Sequence, residues 1–312
     1  YPYHRLNGWI DEVAIFDRQL SAAEIIRIYR ASLQPKRDPE AMQIPPLWGV
    51  TSKKGYLFCI DDYTDPSGST ARFGRILWKQ NGDVVPMDDQ IDSITIDSGA
   101  TAYLLVNKDL GDYAAPLLMR IGLQQAESGE PLIATPMATI DNVAGIHDIA
   151  IDPGSGILYA LGGDGRLSSI DPTTGHTITD FGELKNETLG LGVENGEALI
   201  FDSLGGLFVL DAFDNHLYRV NKNSAVITRV PDSMVGGGFE AAAWDHLNNR
   251  AVASNTANNT LRHLTLMPGN NPSLGSLNGT GLSQVTGLSF VPNEGRGNAA
   301  GGWRVIRWIE VR

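Results

Sequence analysis

The feature of this sequence that most restricts its fold is a recurrence. Six stretches of matching character begin near Leu47 (LWGVTSKKGYLFCID), Ser93 (SITIDSGATAYLLVN), Ile146 (IHDIAIDPGSGILYALG), Ala198 (ALIFDSLGGLFVLD), Phe239 (FEAAAWDHLNNRAVASN) and Val285 (VTGLSFVPNEGRGNAAGGWRVI), at intervals of 46, 53, 52, 41 and 46 residues. Each reads as an apolar strand ending in Asp or a similar residue, a Gly- or Asn-rich turn, and a second apolar strand. Third and fourth strands follow in most groups, as in GRLSSIDP then HTITDF, and HLYRVNK then AVITRV. Four short strands at this spacing are the content of one propeller blade. The expected fold class is therefore all-β, a β-propeller of six blades over residues 47–312, with five or seven as alternatives. The sixth group ends at WRVIRWIEVR and lacks at least one strand. Ring closure is expected to borrow an N-terminal strand from around residues 39–46, which removes exposed sheet edges.

Composition narrows the partners. The 35 glycines and 16 prolines are scattered between apolar runs without a short period, as turn residues between strands are. A formal charge of −12 repels nucleic acid and anionic membrane surfaces at long range. Cys59 is the single cysteine, so no intrachain disulfide, zinc knuckle or redox pair forms. No apolar run reaches the roughly 18–20 residues that cross a bilayer. Starting at Tyr1 without a methionine or signal peptide, the chain reads as a mature or trimmed fragment of a longer protein.

The first thirty-odd residues differ from the rest. Ile10 to Phe16 is strand-like, and Ser21 with Glu24 three residues later forms a capping box that starts a short helix carrying Ile25, Ile28 and Tyr29 on one face. Residues 1–33 resemble the C-terminal end of a laminin-G-like (concanavalin-A-like) jelly roll, through Gly8, Ile10, Asp11, Glu12, Val13, Arg18, Leu20, Ser21, Glu24, Ile25 and Tyr29. A sandwich of that kind needs on the order of 100 residues, so the resemblance implies that most of it lies upstream. Residues 34–46, rich in proline and charge, read as a linker. From residue 47 on, the wording of the third and fourth groups resembles blades of bacterial extracellular propellers of the NHL, quinoprotein-like and YVTN groups. That resemblance implies architecture and a secreted or cell-surface bacterial location, because those groups span binders, scaffolds and enzymes.

Catalytic signatures are weak. Thr95 to Thr101 partly matches the sialidase Asp-box, with Ala102 where the aromatic belongs, and an ordinary hairpin turn is the simpler reading. Gly295 to Ala300 formally satisfies a dinucleotide fingerprint but runs on into a strand-like segment instead of a helix. The six histidines are dispersed; His147, His216, His246 and His263 lie in or beside strands and converge only if the ring brings them to its axis. Trp48, Trp78, Trp244, Trp303 and Trp308 read as packing between blades, with sugar stacking as the alternative.

The acidic loops carry the binding expectation. Between second and third strands stand Asp61, Asp62 and Asp65, then Asp109 and Asp112, Asp164, and Asp211 and Asp214. In a propeller such loops open on one face of the disc, so these carboxylates are expected to face a cation or basic partner, while opposite turns such as PGSG and NEGRG stay nearly neutral. Asp61, Asp62 and Asp65 are the candidate calcium site, although their spacing is not that of an EF-hand loop; no other cofactor is indicated. The expected function is a non-enzymatic extracellular binding, adhesion or scaffold module, with a protein or glycan at the cell surface, the upstream jelly roll or further copies of the chain as partners. The alternative is a carbohydrate-active propeller enzyme, sialidase-like or otherwise glycan-cleaving. A cluster of carboxylates with Arg or Tyr at the axis favours the enzyme, and a plugged axis favours the module.

Overall fold

The computed structural model describes residues 46–88, 90–110, 114–128, 130–140, 145–230, 238–246, 248, 250–264, 273–278, 280 and 282–292. The jelly-roll resemblance, nearly all of the linker, Asp112, the glycine-rich turn at 295–300, Trp303 and Trp308 lie outside the described residues. In chain order the strands are β1 (Leu47–Thr51), β2 (Tyr56–Ile60), β3 (Thr70–Gln80), β4 (Asp83–Pro86), β5 (Ile91–Ile96), β6 (Thr101–Val106), β7 (Leu117–Gly122) and β8 (Leu132–Thr139). They continue as β9 (Ile146–Ile151), β10 (Leu158–Gly162), β11 (Arg166–Ile170), β12 (Thr177–Glu183), β13 (Lys185–Asn186), β14 (Leu191–Gly192), β15 (Gly196–Phe201) and β16 (Leu207–Asp211). The last are β17 (His216–Val220), β18 (Ile227–Arg229), β19 (Phe239–Asp245), β20 (Arg250–Asn255), β21 (Thr260–Leu264), β22 (Ser273–Ser276) and β23 (Val285–Phe290). Among the described residues the only helices are the short turns Pro66–Ser69 and Leu123–Ser128, and none is long and apolar enough to cross a membrane.

Five groups of strands stand around one axis. Four are antiparallel meanders of consecutive strands: β5–β8, β9–β12, β15–β18 and β19–β22. The fifth group is composite, because β23 pairs antiparallel with β1, which continues into β2 and β3; β3 also pairs with β4 and, in parallel, with β8, so this group is continuous with β5–β8. The innermost strands β5, β9, β15, β19 and β23 pack side by side in that order, and β23 returns to lie against β5. This is a β-propeller with its ring closed by strands from both ends of the described region.

The first and last of the six strand groups share one sheet, since β23 pairs with β1. β1 is consequently the second strand of its sheet, with Leu47 opposite Phe290. The partner that closes the ring is Leu47–Thr51 itself, one step downstream of the segment expected from residues 39–46.

The inner strands share a burial pattern. IDSITI, IHDIAI, GEALIF, FEAAAWD and VTGLSF bury every residue except the second, which is half-exposed in all five. Strands covered on both faces read as nearly continuous apolar runs. Between each pair of neighbouring sheets lies one apolar cluster, for example Leu199, Val209 and Tyr218 against Tyr159, Leu161 and Leu167. The other four follow the same plan around the ring, so the core is divided among five interfaces instead of one centre. Burying each such large side chain contributes about 1.5–3 kcal/mol. Trp48, Trp78 and Trp244 are buried in these interfaces, as the packing reading requires.

The aspartate that ends most first strands is a turn residue. Asp97 accepts from the Gly99 and Thr101 amides at 2.8 and 2.9 Å, Asp202 from Leu204 and Gly206 at 2.8 and 2.7 Å, and Asp152 from Gly154 at 2.9 Å. A carboxylate that satisfies two amides of a tight turn folds the first strand onto the second. The turn at Asp97 settles the Asp-box segment as a hairpin.

Candidate functional site at the axis

The ring has two ends, an entry end at the N-termini of the inner strands and an exit end at their C-termini. Within the ring, side chains from the middle and end of all five inner strands leave a cavity of only about 40 Å³, lined by groups such as Ile94, Ile149, Leu199, Ala243 and Leu288. The axis is thus largely filled by apolar side chains. Its entry end opens into a cavity of about 260 Å³ lined by Asp92, Asn107, His147, Glu197, Glu240 and Thr286.

Five of those six are the second residue of an inner strand. Asp92, His147, Glu197, Glu240 and Thr286 come one each from β5, β9, β15, β19 and β23, so equivalent positions of the repeat converge. Each is held by a neighbour. The Asn107 amide donates to Asp92 at 3.2 Å, Asn195 Nδ2 to Glu197 at 2.8 Å, Thr256 Oγ1 to Glu240 at 2.7 Å, and Thr286 Oγ1 to the Ile91 carbonyl at 3.0 Å. His147 Nδ1 lies 3.1 Å from the Gly196 carbonyl. A carbonyl only accepts, so Nδ1 carries the proton of this hydrogen bond. Gly163 makes room for this ring, since a Cβ there would fall 2.6 Å from His147 Cε1 and Nε2.

The electrostatics of the mouth favour a positive guest. Burial raises the Asp92 carboxyl above its ordinary range, partly offset by hydrogen bonds from Asn107 and by His147. Burial also raises Glu197; His147 and Asn195 oppose the rise, while Glu240 and Asp211 add repulsion. Among the described residues no Lys or Arg lines the cavity. One layer deeper, Asp148 is fully enclosed and pushed up to about 7 by burial, against hydrogen bonds from Ser93 Oγ, the Leu199 amide and the Ile149 amide. It ties three inner strands together, with the Leu199 amide at 2.6 Å.

No family model matches the chain, and no curated protein matches it. Solved structures similar to it include virginiamycin B lyase from Staphylococcus aureus, 14% identical with a TM-score of 0.41, over 73% of this chain and 65% of that one. The chain therefore spans about two thirds of that protein's length. A nidogen/laminin complex is 11% identical with a TM-score of 0.48, over 79% of this chain and 98% of that one. The fold assignment rests on the strand pairing itself.

The acidic loop residues divide between the two ends. Asp109, Asp164, Asp211 and Asp214 follow second strands and stand at the entry end, on the same side as the axial mouth. Their carboxylates are engaged in turns: Asp164 accepts from Arg166 at 3.0 Å, Asp214 from His216 at 3.0 Å, and Asp109 from Ala115 at 2.7 Å. Asp211 is buried and accepts from the amides of Glu194, Asn195 and Phe213. Asp61, Asp62 and Asp65 instead follow the third strand of the composite sheet and lie at the exit end, a correction that follows from β1 being a second strand. At the entry end that sheet presents Lys53 and Lys54 in their place. The exit end is not neutral either, since Asp97, Asp152, Asp202 and Asp245 all stand there. Among the described residues no group of three or more His, Cys, Asp or Glu side chains is placed to hold a metal ion, Asp61, Asp62 and Asp65 included.

Of the four histidines, only His147 joins the mouth. His246 lines the narrow axial cavity toward the exit end, and His216 and His263 belong to strands farther out. Asp92, Glu197, Glu240 and Thr286 escaped the reading of single motifs. Their signal is a polar residue at the second place of five otherwise apolar strands.

Proposed function

We propose that the chain is a non-enzymatic binding module of an extracellular bacterial protein, and that its entry-end mouth seats a lysine or arginine side chain of a basic protein partner. The observation that carries this reading is the convergence of one half-buried polar side chain from each of five inner strands around a plugged axis, three of them carboxylates. A repeat that needs only packing gains nothing from three acidic groups held close together around a single histidine, with no Lys or Arg among the described lining residues, and perturbed carboxylates in a cleft mark functional sites. Aspartates in the neighbouring entry-end loops extend the field over a Debye length of about 8 Å at physiological salt. Calorimetry with a Lys-Gly-Lys peptide and an Asp-Gly-Asp control tests the reading. Binding of the basic peptide alone is expected, weakened about tenfold or more when Glu197→Gln and Glu240→Gln are combined. Equal binding by the double variant would refute it.

The raised carboxyls of Asp92 and Glu197 beside His147 favour a second reading, a carbohydrate-active enzyme in which one of them is the general acid. Against it stands the absence of Arg and Tyr among the described residues that line the mouth. Hydrolysis of aryl glycosides that is abolished by Glu197→Gln would establish it.

A further inference from the structure

We propose that a groove at the rim, between the second and third sheets and sharing no lining residue with the mouth, is a binding site for a neutral saccharide. The groove has a volume of about 610 Å³, within the roughly 300–1,000 Å³ of small-molecule clefts. It is shaped by the β13–β14 hairpin, an insertion that interrupts the four-stranded repeat and has no counterpart in the other described sheets. The hairpin is fastened down. Lys185 bridges to Val226, its amide donates to the Ala225 carbonyl at 3.3 Å, and Asn186 Nδ2 donates to the Ile227 carbonyl at 2.9 Å.

The lining has two characters. Phe181 is a rigid aromatic plate: its ring stacks on Tyr159 at 6.0 Å and 13°, and Tyr159 belongs to the core between these sheets. Around it stand Arg166, Glu183, Lys185 and Glu187. Lys185 Nζ lies 3.1 Å from Glu187 and 3.9 Å from Glu183, and Arg166 pairs with Asp180 outside the lining. Both cations of the groove are thus already engaged by carboxylates, in contrast to the acidic mouth. The groove offers an apolar face beside closely spaced donors and acceptors. A pyranose presents the complement, a patch of C–H groups on one face and vicinal hydroxyls at the rim, and aromatic faces provide such stacking. The site is independent of the axial reading.

Saturation-transfer NMR on the full chain with methyl β-glucoside, methyl β-galactoside, methyl α-mannoside and N-acetylglucosamine tests it, followed by titration of any sugar that responds. Transfer to ring C–H protons of at least one sugar is expected. Phe181→Leu should weaken that sugar about tenfold, while Glu240→Gln at the mouth should leave it unchanged. Because Phe181 also packs on the core, the exposed pair Lys185→Gln with Glu187→Gln provides a second variant that folding does not depend on, with the same loss expected. No transfer from any of the four sugars, binding that survives the Lys185 and Glu187 pair unchanged, or binding lost with Glu240→Gln would each overturn the proposal.

Discussion

Single residues show where chemistry is concentrated. Asp148 is one of the buried ones, and its carboxyl is pushed up to about 7 by burial. A raised carboxyl stabilises the folded chain fully below the unfolded value near 3.9, and that contribution is lost as pH rises to about 7. Asp148→Asn keeps the shape and can still meet Ser93 and the Leu199 amide. Urea denaturation of both proteins at about pH 5 and 7 should show the wild type losing on the order of 2 kcal/mol relative to the variant across that interval. A constant difference would mean that Asp148 stays charged. Gly163→Ala probes the mouth itself. The added methyl meets the His147 ring, the movable end of a side chain, so the ring should swing away with less than about 1 kcal/mol of stability lost and a changed His147 NMR signal. An unchanged ring signal would contradict the packing described. At this scale the turn aspartates were legible in sequence because each acts on amides two to four residues away. Asp92, Glu197, Glu240 and Thr286 were not, because each is one polar residue in an apolar strand and the five second-place residues meet one another only when the ring closes; His147 was read only as one of four dispersed histidines.

Among the elements, the loop between β2 and β3 fastens the composite sheet to its neighbour. Tyr63 is fully buried, donates to Asp245, accepts from Arg250 Nε at 2.7 Å and lies under the Arg250 guanidinium at 5.0 Å. Asp245 is itself enclosed, so removing the hydroxyl leaves buried charge less satisfied. Tyr63→Phe should cost about 1–3 kcal/mol in chemical denaturation, and Tyr103→Phe, whose hydroxyl is 3.3 Å from Asp97 in a half-buried setting, less than about 1. Equal costs would deny the loop its role as a fastening. Element type and spacing were readable from apolar runs and turn residues, but strand rank within a sheet was not. The first group, LWGVTSKKGYLFCID, looks like a first and second strand, and nothing local reveals that Phe290 lies beside Leu47. That one-strand offset moved Asp61, Asp62 and Asp65 to the other end of the ring.

At the scale of the whole ring, the described residues divide their core among five apolar clusters, and the repeat brings equivalent residues to one point. The fold class followed from the recurrence alone, whereas the sharing of one sheet by the first and last groups depended on pairing between residues more than 200 positions apart. The mouth's binding should depend on pH. Because Asp92 and Glu197 are raised, their ionised forms are lost earlier on acidification than ordinary carboxylates would be, so affinity for a cation should begin to fall above the usual range near pH 4. The most direct measurement maps where a cation binds: two-dimensional NMR of the chain titrated with argininamide. Saturable shifts are expected to centre on Asp92, Asn107, His147, Glu197, Glu240 and Thr286, with the exit-end turns at Asp61, Asp97 and Asp202 unmoved. Shifts centred on the exit end, or weak unsaturable shifts over both ends alike, would contradict the binding proposed for the mouth.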